Sequence, residues 1–195
     1  AAIALGIEVK VVPPYRKWVD GSITTNQLRK VKIEDLLQRN KIELENTNIL
    51  GAVEGKSILV TGAAGSIGSE IARQLSYYNV DKLILIDHAE SPLYDIEQEL
   101  IEKYKSRKTV KPICEVANVK DRYRMNVLFD TYKPQLVFHA AAYKHVPIIE
   151  KAPYEGIFVN VFGTRIVADL SMEYGVEKFV MVSTDKAVNP TNVMG

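Results

Sequence analysis

The chain has 195 residues, of which 47% are hydrophobic, and its 25 Lys and Arg residues balance 24 Asp and Glu residues. This composition is typical of a globular protein with one sizeable core, and the absence of a basic stripe argues against nucleic acid as a partner. No run of 18 apolar residues is present, so we expect no membrane span in this chain. The lone Cys114 fits a reducing compartment, and we therefore expect a cytoplasmic location.

The first segment, residues 1–50, has short and interrupted patterns. Glu8–Val12 predicts a short strand that two prolines stop, and Ile33–Arg39 predicts a short amphipathic helix. Because so short a segment cannot bury its own core, we interpret it as the tail of a preceding domain and a connector. The first methionine is Met125, and no helix follows the last predicted strand, so we expect a fragment of a longer protein.

Residues 51–195 show the regular alternation of an α/β domain. Short apolar runs alternate with stretches of helical spacing, which predicts a Rossmann-like, doubly wound parallel sheet, truncated before a C-terminal region. The predicted strands are Ile58–Thr61, Lys82–Ile86, Val110–Cys114, Gln135–His139 and Lys178–Val182.

The turn after the first of these strands carries the glycine pattern of a dinucleotide site. One glycine permits a tight turn, a second lets backbone approach a pyrophosphate, and a third lets the helix pack closely on the strand. The helix N-terminus offers free N–H groups to phosphates, although a plain tight turn is the structural alternative. The predicted cofactor-binding residues of this turn are Gly62, Ala64, Gly65, Ser66, Ile67 and Gly68.

Asp87 ends the second predicted strand, close to the ~20 residues past the glycines at which an acid meets the adenosine ribose. A carboxylate there accepts hydrogen bonds from both ribose hydroxyls and repels a 2′-phosphate, which favours NAD over NADP. His88 could soften that repulsion, and a helix cap is the structural alternative for Asp87. After the third strand, Ala117, Asn118 and Val119 occupy the place where an adenine ring would lie.

The fourth predicted strand ends in a loop of small and then polar residues. The small residues would let backbone approach the second ribose and the pyrophosphate, and the polar ones follow near the expected nicotinamide. A solvated role fits single polar loop residues equally well. The predicted cofactor contacts are Ala140, Ala141 and Ala142, and the predicted substrate contacts are Tyr143, Lys144 and His145.

Three further positions complete the predicted cofactor site and its support. His139, at the end of the fourth strand, is interpreted as structural. Asn160 and Gly163 lie in a long helical stretch, where the glycine costs stability unless something packs closely. We therefore expect this stretch to face the sheet or the cofactor, and we assign Asn160 to the cofactor site.

The last predicted strand is followed by a hydroxyl, a carboxylate and an amine, at Thr184, Asp185 and Lys186. Ligands bind at the carboxyl ends of strands in an open α/β sheet, so these three groups are placed for chemistry. A polar loop is the structural alternative. Ser183, directly before them, is assigned to the cofactor site, and no metal site is expected.

These motifs resemble those of the extended short-chain dehydrogenase/reductases, and within them the nucleotide-sugar 4,6-dehydratases of bacterial polysaccharide biosynthesis. The resemblance covers residues 56–195 and rests on Thr61–Gly68, His139–Pro147, Asn160–Thr164 and Ser183–Pro190. It implies that the chain holds the NAD-binding, N-terminal part of a catalytic domain. The opening segment is similar to the connector of long members that are anchored at the inner face of the cell membrane. Their substrate is UDP-N-acetylglucosamine, and homo-oligomers are implied.

The resemblance also implies a reaction in which hydride leaves sugar C4 for NAD, water is eliminated across C5 and C6, and hydride returns to C6. Lys186 would remove the C5 proton, Asp185 would protonate the departing hydroxyl, and Thr184 would bind O4, although the acid and base could exchange roles. Met194 stands where the wider family has a tyrosine, a feature of the long C5-retaining dehydratases. Because the matching lysine and the UDP-sugar region lie outside this chain, we expect it to be inactive alone.

Two other functions stay open. A nucleotide-sugar epimerase would bind the same cofactor and sugar, but it needs no acid–base pair for elimination, so Asp185 and Lys186 argue against it. A noncatalytic nucleotide-binding module is favoured by the missing tyrosine. The exact hexose, the C5 configuration and the assembly state are not determined by these motifs.

Overall fold

The computed structural model describes residues 10–11, 29–30, 46–104 and 111–194. The chain divides into two units, residues 1–45 and 46–195. In the first unit, strands β1 (Lys10–Val11) and β2 (Arg29–Lys30) pair in antiparallel fashion. β1 falls inside the strand predicted in this segment, whereas the predicted helix Ile33–Arg39 lies outside the described residues.

The second unit is built on a five-stranded parallel sheet, which confirms the predicted Rossmann-like fold. The strands follow the order β5-β4-β3-β6-β7. The chain thus adds β4 and β5 on one side of β3 and then returns to add β6 and β7 on the other side, so the strand order reverses between β3 and β6. Open α/β sheets bind ligands at the carboxyl ends of the strands beside such a reversal. The strands are β3 (Ser57–Thr61), β4 (Lys82–Asp87), β5 (Ile113–Val116), β6 (Leu136–His139) and β7 (Lys178–Met181).

Helices cover both faces of this sheet. Among the described residues, none of the helices combines the length and the apolar character that crossing a bilayer requires. A π-helical segment, Ile157–Gly163, and a 3₁₀ turn, Asp185–Ala187, add to the α-helices. The α-helices are α1 (Asn46–Val53), α2 (Ser66–Leu75), α3 (Glu90–Tyr104), α4 (Arg122–Tyr132), α5 (Val146–Ile149), α6 (Pro153–Gly156) and α7 (Thr164–Glu173).

The central strands read as continuous apolar runs because both of their faces are buried. Every residue of β3 is buried, and successive side chains point to opposite faces of the sheet. Ile58 and Val60 pack with α2 and α3 in one core, whereas Leu59 packs with α4 and α7 in the other. Phe129 of α4, fully buried, fills the second core. This packing holds the carboxyl end of β3 in place.

The third predicted strand, Val110–Cys114, was placed too early. Val110 lies outside the described residues, and β5 runs from Ile113 to Val116. β5 is an edge strand, so a charged residue can lie within it, and the Glu115 carboxylate accepts a hydrogen bond from Arg124 Nη2 at 2.6 Å. The apolar pattern therefore ended the predicted strand two residues too early, before Glu115 and Val116.

The long helical stretch that holds Asn160 and Gly163 is not one regular helix. It comprises α6, the π-helical segment and α7 in succession. A Cβ atom added at Gly163 would lie 2.7 Å from Val119 Cγ2, so a larger residue would displace the Val119 side chain, and the glycine allows close packing against the loop after β5. This agrees with the prediction that Gly163 marks a close approach, and it brings the π-helical segment against a loop at the carboxyl edge of the sheet.

Candidate functional site

A cavity of about 240 Å³ opens at the carboxyl ends of β3, β4 and β6. Its walls are the loops that follow these strands, the loop after β5 and one residue of the π-helical segment. The lining residues are Gly62, Ala64, Gly65, Ile86, Asp87, His88, Ala89, Pro92, Ala117, Asn118, Val119, Ala140, Ala141, Ala142, Tyr143 and Val159. Most of the predicted cofactor residues thus meet around one cavity.

Two glycines make the floor of this cavity sterically feasible. Gly62 has φ +66°, and a Cβ atom there would lie 2.6 Å from the Ala141 nitrogen. Only glycine therefore lets residues 62–68, the glycine turn, approach residues 140–142, the alanine loop. A Cβ atom at Gly68 would lie 2.1 Å from the Gly62 carbonyl oxygen. Gly65 is the N-cap of α2 and has no capping side chain, so amide groups of the first turn stay available to a ligand.

Asp87 joins the glycine turn to the end of β4. Its Oδ2 accepts a hydrogen bond from the Ala64 nitrogen at 3.0 Å, and its Oδ1 accepts one from the Ala89 nitrogen at 2.9 Å. His88 Nδ1 lies 3.3 Å from Oδ1. The bond to Ala89, two residues on, is a local turn that leads into α3. Asp87 therefore combines two main-chain contacts with a place on the cavity wall.

Several predicted cofactor residues do not line the cavity. Ser66 and Ile67 are exposed at the start of α2, and Gly68 is buried under the turn. Asn160 bonds the main chain of Tyr143 with both atoms of its amide group. Ser183 is exposed beyond β7. Of these residues, Asn160 contacts a residue of the cavity wall, Tyr143.

Of the three predicted substrate residues, only Tyr143 reaches the cavity. Its ring meets the His88 ring edge to face, with centroids 6.1 Å apart and planes at 82°. Lys144 and His145 are exposed, and neither lines the cavity. His145 is the N-cap residue of α5 and makes no side-chain capping bond. α5 begins at Val146, three residues after Tyr143.

His139 is buried behind the cavity, in agreement with a structural role. Its Nδ1 lies 2.7 Å from the Thr61 hydroxyl and its Nε2 lies 2.9 Å from the Thr164 hydroxyl. Burial lowers the pKa of the imidazole from 6.5 to about 4, since desolvation disfavours the charged form. The neutral ring therefore ties the ends of β6 and β3 to α7.

The segment with the predicted catalytic residues leaves the same edge of the sheet. The Val182 nitrogen donates a hydrogen bond to the His139 carbonyl at 3.0 Å, which continues the pairing of β7 with β6. Thr184 and Lys186 are exposed, and the Lys186 nitrogen donates to Thr184 Oγ1 at 3.2 Å. The side chain of Asp185 lies outside the described residues. None of the described side chains of this segment lines the cavity.

Met194 is half-buried near the end of the same segment. The nitrogen of the preceding Val193 donates a hydrogen bond to Glu150 Oε1 at 2.8 Å. This contact ties the segment to the residue that follows α5. The catalytic assignments of this segment stay predictions, because none of its described side chains lines the cavity.

Sequence reasoning missed four lining residues. Ala89 and Pro92 lie two and five residues after Asp87, and the start of a helix beside the expected ribose was a signal that could have found them. Ile86 adjoins Asp87, which was predicted. Val159 had no local signal, because the packing of the π-helical segment alone brings it to the cavity.

Comparison with known families shows which one this geometry belongs to. The model of the polysaccharide biosynthesis protein family matches residues 58–195. The chain belongs to this family. The resemblance drawn from the sequence motifs is thereby confirmed at the level of the family.

The relatives of this polysaccharide biosynthesis family member are longer than the chain. It is 46% identical to the capsular polysaccharide biosynthesis protein CapD of Staphylococcus aureus, over 97% of this chain and 31% of the relative. It is 42% identical to an uncharacterized membrane protein of Methanocaldococcus jannaschii, over 72% of the chain and 39% of the relative. A UDP-N-acetylglucosamine 4,6-dehydratase (inverting) of Campylobacter jejuni is 36% identical, with coverages of 72% and 40%.

Solved structures show the same fold. A UDP-glucose 4-epimerase of Thermus thermophilus in complex with NAD superposes with a TM-score of 0.52 and 27% identity, over 65% of this chain and 37% of the epimerase. The family member described here thus spans between 31% and 40% of the length of these relatives and this neighbour.

Proposed function

We propose that this chain is the NAD-binding part of a UDP-N-acetylglucosamine 4,6-dehydratase that serves capsule, O-antigen or glycan precursor synthesis. The observation that carries the proposal is the cavity at the carboxyl ends of β3, β4 and β6, where the glycine turn, Asp87 and the alanine loop converge. The named activity of the Campylobacter relative and the NAD in the Thermus neighbour support it. In this proposal, residues 51–195 begin a catalytic domain, and residues 1–50 belong to a preceding domain and connector.

The residues around the cavity fit a dinucleotide. Side chains at Gly62 and Gly68 would collide with backbone, so the turn is built as a bare cradle of main chain. The uncapped start of α2 suits a pyrophosphate, because its amide groups and dipole favour negative charge. The Asp87 carboxylate, on the cavity wall, suits the hydroxyls of a ribose.

NAD, when bound, would accept a hydride from sugar C4 and return it to C6. Asp185 would take the O4 proton as the hydride leaves C4 and give it to the departing C6 hydroxyl, Lys186 would take the C5 proton and return a proton to C5, and Thr184 would hydrogen-bond O4. These residues follow β7, whose pairing with β6 brings their segment to the edge that carries the alanine loop. Met194 in place of a tyrosine supports the C5-retaining course, because the methionine version resembles the long retaining dehydratases. A thioether cannot act as a base, so Met194 would not take the O4 proton.

The test is turnover by the full-length protein that contains this chain. With UDP-N-acetylglucosamine and catalytic NAD in heavy water, we expect a 4-keto-6-deoxy sugar with deuterium at C5. Proton NMR of the sugar measures this product. A C4 epimer without loss of water would instead establish the epimerase that the Thermus neighbour suggests. Unchanged sugar, in a sample loaded with NAD, would reject a UDP-N-acetylglucosamine 4,6-dehydratase and favour another nucleotide sugar or the noncatalytic module.

We expect Asp87→Asn to weaken NAD binding by about 10-fold and to reduce the preference for NAD over NADP. The substitution removes the charge that repels a 2′-phosphate, and a tenfold change corresponds to the roughly 1.4 kcal/mol of one charge-assisted hydrogen bond. Calorimetry with both cofactors measures the two affinities. Asp81→Asn, the same change at the exposed opposite end of β4, is the matched control. A wild-type chain that binds NADP as tightly as NAD would contradict the prediction.

We also propose that the full-length protein is a homo-oligomer anchored at the inner face of the cell membrane. α6 and the π-helical segment carry exposed apolar side chains, at Tyr154, Ile157, Val161 and Phe162. Such a patch suits a surface that binds a second subunit. The description of the Methanocaldococcus relative as a membrane protein supports the anchoring. Light scattering of the detergent-extracted protein is expected to give a multiple of the monomer mass, and a monomer would reject the oligomer.

A further inference from the structure

Asn160 makes a two-point contact with the main chain of one residue. Its Oδ1 accepts a hydrogen bond from the Tyr143 nitrogen at 2.8 Å, and its Nδ2 donates one to the Tyr143 carbonyl oxygen at 3.0 Å. Both bonds are partly buried and join residues 17 positions apart. The side chain thereby fixes the peptide planes on both sides of Tyr143.

No regular element satisfies these two main-chain groups. Residues 140–145 lie between β6 and α5 and have neither helical nor strand structure. A main-chain N–H and C=O in such a loop need other partners, since leaving them unpaired when partly buried is costly. The Asn160 amide supplies one acceptor and one donor, as a neighbouring strand would. The path of the loop at Tyr143 therefore depends on this one side chain.

The loop that Asn160 holds is a wall of the cavity. Ala142 and Tyr143 line it, and the Tyr143 ring meets the edge of His88, which belongs to the loop after β4. Asn160 itself is absent from the lining and lies in the π-helical segment, a form of helix frequently found at functional sites. Its neighbour Val159 does line the cavity. The segment thus contributes to the site once directly and once through Tyr143.

We propose that Asn160 is a positioning residue, which sets the Tyr143 and His88 wall of the cavity through the Tyr143 main chain and does not bind the cofactor itself. The inference rests on the proposed NAD site. It replaces the direct cofactor contact that the sequence motif suggested for Asn160. Its amide holds Tyr143 through both polar atoms and Asn160 does not line the cavity, so a dinucleotide would meet the loop that Asn160 holds.

The first measurement needs no ligand. Asn160→Ala is expected to speed hydrogen exchange of the Tyr143 amide by at least about 10-fold, because its acceptor is lost. It is also expected to shift the imidazole proton signals of His88, which contacts the Tyr143 ring. The chain has three histidines, so His88→Gln assigns these signals without ambiguity.

The second measurement is NAD affinity by calorimetry. Asn160→Ala is expected to raise the Kd for NAD about 10-fold, the effect of losing one or two hydrogen bonds that shape the wall. Asn160→Asp keeps the side-chain volume and the acceptor, but it sets an oxygen against the Tyr143 carbonyl. We expect its Kd for NAD to rise at least as much, while its Tyr143 amide stays more protected than in Asn160→Ala.

Asn126→Ala is the matched control. Asn126 Oδ1 accepts a hydrogen bond from the Tyr174 hydroxyl at 3.0 Å, and the residue is half-buried on α4, outside the cavity lining. This variant is expected to lose stability without changing Tyr143 exchange, the His88 signals or the NAD affinity. Unchanged Tyr143 exchange and His88 signals in Asn160→Ala would overturn the positioning role. A wild-type chain that does not bind NAD would reject the proposed NAD site, and the two ligand-free readouts would still decide whether Asn160 positions the wall.

Discussion

Replacement of Gly68 by Ala is expected to destabilise the second unit by more than about 3 kcal/mol and to abolish NAD binding. The added Cβ atom would lie 2.1 Å from the Gly62 oxygen, 2.7 Å from the Gly62 carbonyl carbon and 2.9 Å from Ala63 Cα. All three are backbone atoms, so no side chain can move aside, and the start of α2 must separate from the glycine turn. Urea unfolding measures the loss of stability.

Gly51→Ala is the matched control for this prediction. Gly51 also lies in a helix, α1, but a Cβ atom there meets nothing within 4 Å. Alanine at that position is expected to leave NAD binding unchanged and to stabilise the chain by roughly 0.5–1 kcal/mol, since glycine costs backbone entropy in a helix. An unfolding free energy of Gly68→Ala within about 1 kcal/mol of the wild-type value would contradict the steric argument.

Stability of the second unit is expected to fall by about 3 kcal/mol as pH decreases from roughly 6.5 to 4, because of His139. Burial lowers the pKa of the folded-state imidazole to about 4, whereas the unfolded state keeps the ordinary value of 6.5. Between these two values the unfolded chain binds a proton that the folded chain does not, so acid favours unfolding. The contribution is fully present above pH 6.5 and is lost on the way down to pH 4.

Urea unfolding at several pH values measures this dependence. His139→Gln is expected to be less stable than the wild type at neutral pH, and the difference is expected to shrink as pH falls, because the variant lacks the proton uptake. His145→Gln, which changes an exposed histidine, is expected to follow the wild-type curve. Parallel curves for wild type and His139→Gln would show that His139 does not cause the acid sensitivity.

The parts of the site that follow local rules could be predicted from the sequence. Gly62 and Gly68 were identified because a tight turn and a close helix require residues without a side chain, and the structure shows both constraints. Asp87 was located because the end of a parallel strand and its distance from the glycines are encoded along the chain. The alanine loop followed from the same strand-end rule, and all three alanines line the cavity.

Other features depended on contacts between distant parts of the chain. Asn160 was assigned to the cofactor, but its amide binds the main chain of Tyr143, a partner that no local pattern identifies. The predicted strand Val110–Cys114 was wrong at its boundaries, since an edge strand tolerates Glu115, whose partner Arg124 lies on α4. Lys144 and His145 were grouped with Tyr143, yet neither lines the cavity, and α5 begins directly after them.

By itself, the sequence determined the parallel α/β sheet, the glycine turn and the acid at the end of β4, and its motifs resembled those of the family to which the chain belongs. The sheet, the turn and the acid depend on periodicity and on short spacings, which act through the backbone of neighbouring residues. Only the tertiary structure decided that Asn160 holds Tyr143, that Val159 reaches the cavity and that His139 is a buried neutral link between Thr61 and Thr164. Such contacts arise when helices and loops distant in sequence are packed onto one edge of the sheet, where burial sets both their partners and their charge.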